Sequence, residues 1–301
     1  MHVPFPVARQ MTRRLVKPIL GTRLSPVMQR RALELVLRAS VLPKGTQVQR
    51  GDLGGVPAEQ LVTTGSVPGR ALLYLHGGAY LVGSPATHRA AAAHLAAAVG
   101  AVGHVLDYRL APEHPYPAAV DDALAAYRAL LDRGLEPGQV VVAGDSAGGG
   151  LSLALGLRLH SLGLPQPAAL GLMSPWVDLG LSGLDESVVD PLLSRDWLEL
   201  GASSYAGAAR DVAEVSPLHA EPAALAALPA LFVQAGTDEM LRRDIARFVD
   251  VARGAGAQVT YRELVGHWHV TQLFAGLARE ADAAVAELGG WLRAALEDAG
   301  R

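Results

Sequence analysis

The chain contains no cysteine, which excludes disulfides, thiolate metal sites, iron–sulfur clusters and a cysteine nucleophile. It has no run of 18 or more apolar residues, so we expect no transmembrane helix. The apolar stretch from Leu15 to Leu20 is broken by Lys17 and Pro18, and it is too short for the core of a signal peptide. These features favour a cytoplasmic protein.

A strong charge of either sign is also missing. The 301 residues include 26 basic and 29 acidic side chains, for a formal net charge of -3. Nucleic-acid-binding proteins usually carry a strongly basic face, so this balance argues against that class. Half of the residues are hydrophobic, which is enough for a large core. The length fits either two domains or one large α/β domain with an insertion.

Short apolar runs alternate with helical patterns along most of the chain. Buried strands are predicted at 71–75, 104–106, 140–143, 168–173, 230–234 and 259–264, and earlier pieces at 47–51 and 59–65 are compatible with a leading hairpin. Helices are predicted at 87–98, 117–132, 147–161, 242–254 and 273–297. This alternation predicts a mostly parallel sheet with helices on both faces.

Two segments depart from the alternation. Residues 1–45 read as amphipathic helices with arginines between the apolar positions. A basic amphipathic helix can contact a membrane surface, but Pro4, Pro6 and Pro18 interrupt any long face, which favours a lid or packing role. Residues 180–218 are rich in turns and contain a helical stretch near 194–200. An insertion of that length between two strands is a candidate lid or cap.

A candidate nucleophile lies between a predicted strand and a predicted helix. The run Gly-Asp-Ser-Ala-Gly at 144–148 matches the pattern G-x-S-x-G. In that pattern a serine occupies a sharp turn that needs small residues on both sides, here Gly144 and Gly148. The alternative is a glycine-rich phosphate cradle, but the chain lacks the G-x-x-x-x-G-K-[S/T] pattern that would support it. Ser146 is therefore the predicted nucleophile.

A catalytic serine needs a base and an acid that orients the base. Ligands gather at the carboxyl ends of parallel strands, and Asp238, His267 and His269 each follow a predicted strand. The chain order serine, aspartate, histidine is that of α/β-hydrolases. Asp238 has a structural alternative as the cap of a helix that begins near Leu241. The two histidines suggest a metal pair, but no other ligands have matching spacing.

Acyl transfer also needs donors for the oxyanion, and loss of one such donor costs about 3–4 kcal/mol in the barrier. The strand at 71–75 runs into His-Gly-Gly-Ala-Tyr. Glycines leave backbone N–H groups unobstructed, so Gly77 and Gly78, with Ala147, are the predicted oxyanion hole. His76 is interpreted as a structural residue that fixes this loop.

Together these motifs resemble the hormone-sensitive-lipase-like family of α/β-hydrolases, the bacterial family IV carboxylesterases. The resemblance spans about residues 71–274 and rests on the segments 76–80, 107–122, 144–149, 174–179 and 236–241 and on the histidine loop. It implies an eight-stranded α/β-hydrolase core with a helical cap. The implied divisions are N-terminal cap helices at 1–45, core at 46–180, a cap insertion at 181–218 and core at 219–301.

The resemblance also selects the base. The family pattern G-x-x-H begins here at Gly266 and makes His269 the base, which leaves His267 as a neighbouring loop residue. The chain departs from the family at Ala79, where many members have a third glycine, and at His267 and Thr271. The first departure should leave the backbone donors intact. The others are expected to alter the pocket wall or the basicity of the base.

The resulting expectation is a serine carboxylesterase that hydrolyses small, short-acyl esters through an acyl-enzyme. Ser146 attacks, His269 moves the proton, and Asp238 orients the imidazole. Gly77, Gly78 and Ala147 bind the oxyanion, and no metal or organic cofactor is required. A lactone hydrolase or an amidase would use the same groups. Hydrolases of epoxides or haloalkanes need aspartate in place of Ser146, and a non-catalytic receptor would be expected to lose part of the triad. By analogy with relatives, a homodimer is expected.

Overall fold

The computed structural model describes residues 2–37 and 41–300, so residues 1, 38–40 and 301 of the predicted cap and core lie outside the described ranges. The strands are β1 Gln47–Leu53, β2 Val56–Val62, β3 Ala71–Leu75, β4 Val102–Leu106, β5 Val140–Asp145, β6 Ala169–Met173, β7 Ala230–Gly236 and β8 Val259–Leu264. The α-helices of the described ranges are α1 Phe5–Met11, α2 Pro26–Leu37, α3 Pro85–Val99, α4 Ala118–Asp132, α5 Ala147–Ser161, α6 Arg195–Ala206, α7 Pro222–Ala226, α8 Arg242–Gly254 and α9 Arg279–Ala299.

The eight strands form one sheet in the order β1-β2-β4-β3-β5-β6-β7-β8. The hairpin β1–β2 joins β4 in antiparallel pairing, and all the other pairs are parallel. The predicted mostly parallel sheet with a leading hairpin is therefore confirmed. From β3 the chain crosses first to β4 on one side and then to β5 on the other. Such a reversal places the carboxyl ends of β3 and β5 at a crevice where ligands bind in open α/β sheets.

The strands at the centre are buried on both faces, which explains their nearly continuous apolar sequences. In β3 the side chains of Leu72 and Tyr74 enter one hydrophobic cluster, whereas Leu73 and Leu75 enter the other. This division follows from the two-residue period of a strand, which sends successive side chains to opposite faces.

The last helix begins later than its pattern predicts. Residues Thr271–Phe274 form a separate 3₁₀ turn, and α9 starts only at Arg279. Between them Gly276 has a φ of +82°, a conformation that interrupts a right-handed helix and that glycine tolerates. The amide of Gly276 donates to Asp282 at 2.6 Å, which ties this break to the first turn of α9.

The N-terminal segment lies against the insertion that follows β6. In that segment α1 continues through a π-helical turn at Thr12–Val16, and α2 follows. The ammonium of Lys17 donates to the backbone carbonyls of Asp190 and Leu193 at 2.5 and 2.9 Å. The indole N–H of Trp197 donates to the Gln29 side chain at 3.0 Å. None of the described helices is both long enough and apolar enough to cross a bilayer.

Candidate active site

A cavity of about 340 Å³ lies at the carboxyl ends of β3 and β5, where the N-terminal segment and the insertion meet the core. Ser146 and His269 line it, and most of the remaining wall is apolar. The apolar wall comes from the N-terminal segment, the insertion and the loop before α9, and it includes Leu15, Val16, Leu20, Leu33, Leu192, Leu193, Trp197, Leu273 and Phe274. The cavity therefore has a polar end at Ser146 and His269 and an otherwise mostly hydrophobic wall.

Ser146 occupies the sharp turn between β5 and α5. Its φ and ψ are +53° and −119°, a strained conformation for a residue with a side chain. The turn is compact because both flanking glycines touch other backbone atoms. A Cβ on Gly148 would lie 1.9 Å from the carbonyl oxygen of Leu75, and one on Gly144 would lie 2.3 Å from that of Gly148. The spacing G-x-S-x-G thus has a steric cause, and the turn presents the hydroxyl at the positive end of α5.

The imidazole of His269 faces this hydroxyl. Its Nε2 lies 2.8 Å from the Oγ of Ser146, and the residue is 1% exposed. The loop that follows β8 carries this histidine, and Val270 beside it adopts a φ of +51°. The sequence-predicted serine and histidine are thus brought together from positions 123 residues apart.

The carboxylate at the other side of the imidazole belongs to Glu239 and not to the predicted Asp238. Oε2 of Glu239 lies 3.4 Å from Nδ1 of His269, and neither side chain is exposed by more than 1%. This separation exceeds a usual hydrogen bond, although catalytic contacts commonly shorten when substrate binds. The Oγ of Ser174 donates to the same carboxylate oxygen at 2.6 Å, which fixes its position.

Asp238 points to the N-terminal segment instead. Its Oδ2 accepts a hydrogen bond from Arg9 at 2.6 Å, and both side chains are about one third exposed. The cation of Arg9 also lies 5.9 Å from the ring centroid of Trp268. The predicted contact of Asp238 with His269 is therefore corrected to one made by its neighbour Glu239. The physical reason is that Arg9 pairs with Asp238, whereas the turn after β7 directs Glu239 into the buried interior.

The Glu239 carboxylate sets the basicity of the imidazole. Burial by itself lowers the pKa of His269, but the contact with Glu239 and the charge of that carboxylate outweigh burial, so the pKa is raised above its ordinary value. A raised pKa makes the imidazole a stronger acceptor for the serine proton. The electrostatic environment is thus that of a histidine paired with an acid.

The loop after β3 does not present the predicted pair of glycine amides. The N–H of Gly77 donates to Oδ1 of Asp145 at 3.1 Å, so it is not available to a ligand. Among the described residues, no partner is found for the N–H groups of Gly78, Ala79 and Ala147. Gly78 lines the cavity. The predicted Gly77 donor is therefore corrected: the amides left unpaired are those of Gly78 and Ala79.

Asp145 and His76 hold this loop in place, and for His76 this is the structural role that the sequence predicts. Oδ1 of Asp145 accepts a second hydrogen bond, from the hydroxyl of Tyr74 at 2.7 Å. The His76 ring stacks on Tyr108 at 4.3 Å between centroids, and the Tyr108 hydroxyl donates to the His76 carbonyl at 2.6 Å. Burial and the nearby His88 lower the pKa of His76 to about 3, so this ring stays neutral at ordinary pH.

His267 lies beside the site without contacting Ser146. Its Nδ1 is 2.7 Å from the hydroxyl of Thr271, and its ring packs 4.8 Å from that of Phe5. Burial lowers its pKa. Thus two of the three positions where the sequence departs from the family pattern, His267 and Thr271, contact each other. Among the described residues, no group of three His, Asp or Glu side chains is arranged to hold a metal ion.

Comparison with known proteins places this geometry in a family. Residues 72–273 match the sequence model of an α/β-hydrolase-fold family. The chain is similar to an acetyl-hydrolase of Streptomyces hygroscopicus, with 40% identity over 80% of this chain and 84% of that protein. It is also similar to an esterase of Acinetobacter venetianus, with 35% identity over 92% and 93%.

A solved structure identifies the family within this fold. The crystal structure of an esterase from the bacterial hormone-sensitive lipase family superimposes with a TM-score of 0.88 and 36% identity, over 96% of this chain and 98% of that chain. The chain belongs to the bacterial hormone-sensitive lipase family. The family resemblance seen in the sequence is confirmed. The predicted enzyme class of this hormone-sensitive-lipase-family protein, a carboxylic ester hydrolase, is confirmed as well.

Proposed function

We propose that the protein is a serine esterase that hydrolyses short, apolar acyl esters through an acyl-enzyme. The observation that carries this proposal is the 2.8 Å contact between Ser146 Oγ and His269 Nε2 at a strained turn that faces an apolar cavity. A serine in hydrogen-bond contact with a buried, acid-paired imidazole is the arrangement that activates a hydroxyl for attack on a carbonyl.

In the first half-reaction Ser146 attacks the ester carbonyl while His269 takes its proton. The carbonyl oxygen becomes an oxyanion, and the N–H groups of Gly78, Ala79 and Ala147 are the donors proposed to bind it. The C–O bond to the alcohol then breaks, and the imidazolium gives the proton to the departing alkoxide. In the second half-reaction water takes the place of the alcohol, and its attack releases the acid and restores the free serine.

Glu239 is proposed as the acid of the triad, and Ser174 as the residue that positions it. The buried carboxylate stabilises the imidazolium that forms when the serine proton is taken. Ser174 Oγ holds one carboxylate oxygen at 2.6 Å. The same Oγ lies 3.4 Å from the amide of Val270, so one hydroxyl links the acid to the histidine loop.

The shape of the cavity supports a small acyl group. Its volume of about 340 Å³ is at the lower end of the range for small-molecule sites. The walls supplied by residues 3–37 and by Leu192, Leu193 and Trp197 support the division into a core and a cap made of the N-terminal segment and the insertion. The relatives named acetyl-hydrolase and esterase favour an ester of a short acid over an amide or a lactone.

A series of p-nitrophenyl esters from acetate to palmitate tests the substrate class. We expect kcat/KM to be highest for acyl chains of two to about six carbons and to fall by at least about tenfold for palmitate, because a longer chain exceeds the cavity. Rapid-quench mass spectrometry with the butyrate should show an adduct of one butyryl group on the intact protein. A preference for palmitate, or faster hydrolysis of the matching anilide or lactone, would contradict the proposed substrate.

The pH dependence tests the assignment of the base. Only the neutral imidazole accepts the serine proton, so kcat/KM should rise as pH increases through the pKa of His269. Because that pKa is raised, we expect the acid limb to be centred above the ordinary value of about 6.5. The pKa of His267 is lowered, so His267→Gln should leave the limb where it is. A limb centred below the ordinary value that disappears in His267→Gln would assign the base to that residue.

A further inference from the structure

The N-terminal segment concentrates positive charge in an acidic protein. Residues 1–45 contain nine basic residues and one acidic residue, a formal charge of +8, whereas residues 46–301 contain 17 basic and 28 acidic residues, a formal charge of −11. These charges do not lie in the cavity wall, to which the described part of this segment contributes only uncharged side chains. A charge difference of this size orients a protein toward a negatively charged surface.

Some of these cations form ion pairs or hydrogen bonds within the described residues, and others form none. Lys17 is bound to two carbonyl oxygens, Arg30 to Glu113 and Arg9 to Asp238. Among the described residues, no hydrogen-bond or ion-pair partner is found for the exposed side chains of Arg13, Arg14, Arg23 and Arg31. Their positive charge is therefore directed to solvent or to a partner.

Exposed apolar side chains occur in the same helical segments as these arginines. Val7, Met11 and Leu15 recur every four residues along one helical stretch and are 47%, 37% and 52% exposed. Residues at this spacing lie on the same face of a helix. On α2 the exposed apolar residues Met28 and Leu35 flank Arg31. Both helices therefore present a mixed apolar and basic face, which is the pattern of helices that lie in the interface of a membrane.

Part of this face belongs to the wall of the cavity that contains Ser146. Met11, Leu15 and Val36 all line the cavity and are also exposed by more than one third of their surface. Exposed apolar side chains that adjoin a cavity are typical of a site that contacts another surface. The cavity continues from these three side chains to Ser146, so a molecule that leaves such a surface can reach the nucleophile without crossing bulk solvent.

We propose that the N-terminal face, defined by Val7, Met11, Arg13, Arg14, Leu15, Met28, Arg31, Leu35 and Val36, docks the enzyme on lipid assemblies with negatively charged headgroups. The arginines neutralise headgroups, and the apolar side chains enter the boundary between headgroups and acyl chains. In this proposal the two helices lie in the interface of the lipid assembly. Its catalytic consequence rests on the proposed esterase function: the preferred physiological esters are amphiphiles that partition into such assemblies and present a short acyl group.

Vesicle flotation tests docking without any hydrolysis. The Ser146→Ala protein is mixed with vesicles of phosphatidylcholine alone or with about 30% phosphatidylglycerol. We expect binding to the anionic vesicles and at least about tenfold weaker binding to the neutral ones. Each basic side chain near an anionic surface contributes about a fivefold increase in affinity, so Arg13→Glu/Arg14→Glu should weaken binding by about 10- to 100-fold. Salt at about 0.5 M should weaken it as well.

Matched variants separate docking from general charge and folding effects. Arg128→Glu changes an exposed arginine on α4, and Leu162→Ser changes a half-exposed leucine after α5. Both should bind vesicles like the parent, whereas Leu35→Ser should bind more weakly. The Arg13→Glu/Arg14→Glu protein should keep its melting temperature and its activity on soluble p-nitrophenyl acetate.

The proposal is overturned if binding is the same on neutral and anionic vesicles, or if Arg13→Glu/Arg14→Glu and Arg128→Glu bind the anionic vesicles equally well. It is also overturned if a fluorescent oligonucleotide binds more tightly than the anionic vesicles. These results are independent of the esterase proposal. Failure of ester hydrolysis with intact vesicle binding would overturn only the proposed function, and the reverse result would overturn only docking.

Discussion

Replacement of Ser146 by alanine is expected to lower kcat for p-nitrophenyl acetate by about 10⁶-fold, because the proposed acyl-enzyme forms on the hydroxyl of this residue. The remaining hydrolysis should come from binding and from the backbone donors alone, and no acyl adduct should form. Steady-state assays at saturating substrate, together with intact-protein mass spectrometry, measure both quantities.

Ser152→Ala provides the matched control. Ser152 is buried in the same helix, and its hydroxyl donates to the carbonyl of Gly148 at 2.8 Å. Ser152→Ala also removes a buried hydroxyl close to the site. If the loss of any such hydroxyl lowered kcat, kcat would therefore fall in this variant too. We expect kcat within about tenfold of the parent, since loss of one such hydrogen bond costs about 1 kcal/mol. A Ser146→Ala protein with kcat within tenfold of the parent would contradict the mechanism.

The local parts of the site could be predicted because their causes are local. The turn at Ser146 needs a strand, two small residues and a helix within a short stretch, and all three can be seen in the residue pattern. The predicted helix 147–161 has the same bounds as α5. The rule that site residues lie at the carboxyl ends of parallel strands points to the loop with His267 and His269, and the family resemblance selects His269.

The predictions for Asp238 and Gly77 were wrong because both depend on contacts between distant parts of the chain. Asp238 and Glu239 are adjacent and both follow β7, so spacing cannot decide which of them faces the histidine. The choice depends on Arg9, which lies 229 residues away and pairs with Asp238, and on Ser174, which holds Glu239. The only local signal is that Glu239 precedes the apolar pair Met240 and Leu241, which indicates a chain entering the interior.

The proposed oxyanion donors differ by one residue from the predicted ones for a similar reason. Gly77 was expected to donate to the substrate because its backbone is unobstructed. Its amide instead donates to Asp145, which is 68 residues away. That same closeness explains why position 77 is a glycine: a Cβ there would lie 2.2 Å from the Asp145 carboxylate. A glycine-rich loop therefore does not indicate by itself which glycine serves the ligand and which serves the packing.

Glu239→Ala and Asp238→Ala are expected to differ by about three orders of magnitude in kcat. Removal of the acid of a serine triad lowers kcat by about 10⁴-fold, because the imidazole loses its orientation and the imidazolium loses its counter-charge. Glu239→Ala should show this loss with p-nitrophenyl acetate. Asp238→Ala breaks the pair with Arg9, an interaction at a partly exposed surface, and should lower kcat by less than about tenfold.

The conservative variants separate positioning from folding. Glu239→Gln keeps the size and removes the charge, so it should retain the parent melting temperature more closely than Glu239→Ala. Without the carboxylate that raises the pKa of His269, its residual activity should have an acid limb at lower pH than the parent. Arg9→Gln should reproduce the small effect of Asp238→Ala, and the double variant should add little, since both changes break one ion pair. A loss of about 10⁴-fold in Asp238→Ala, with Glu239→Ala close to the parent, would return the role of the acid to Asp238.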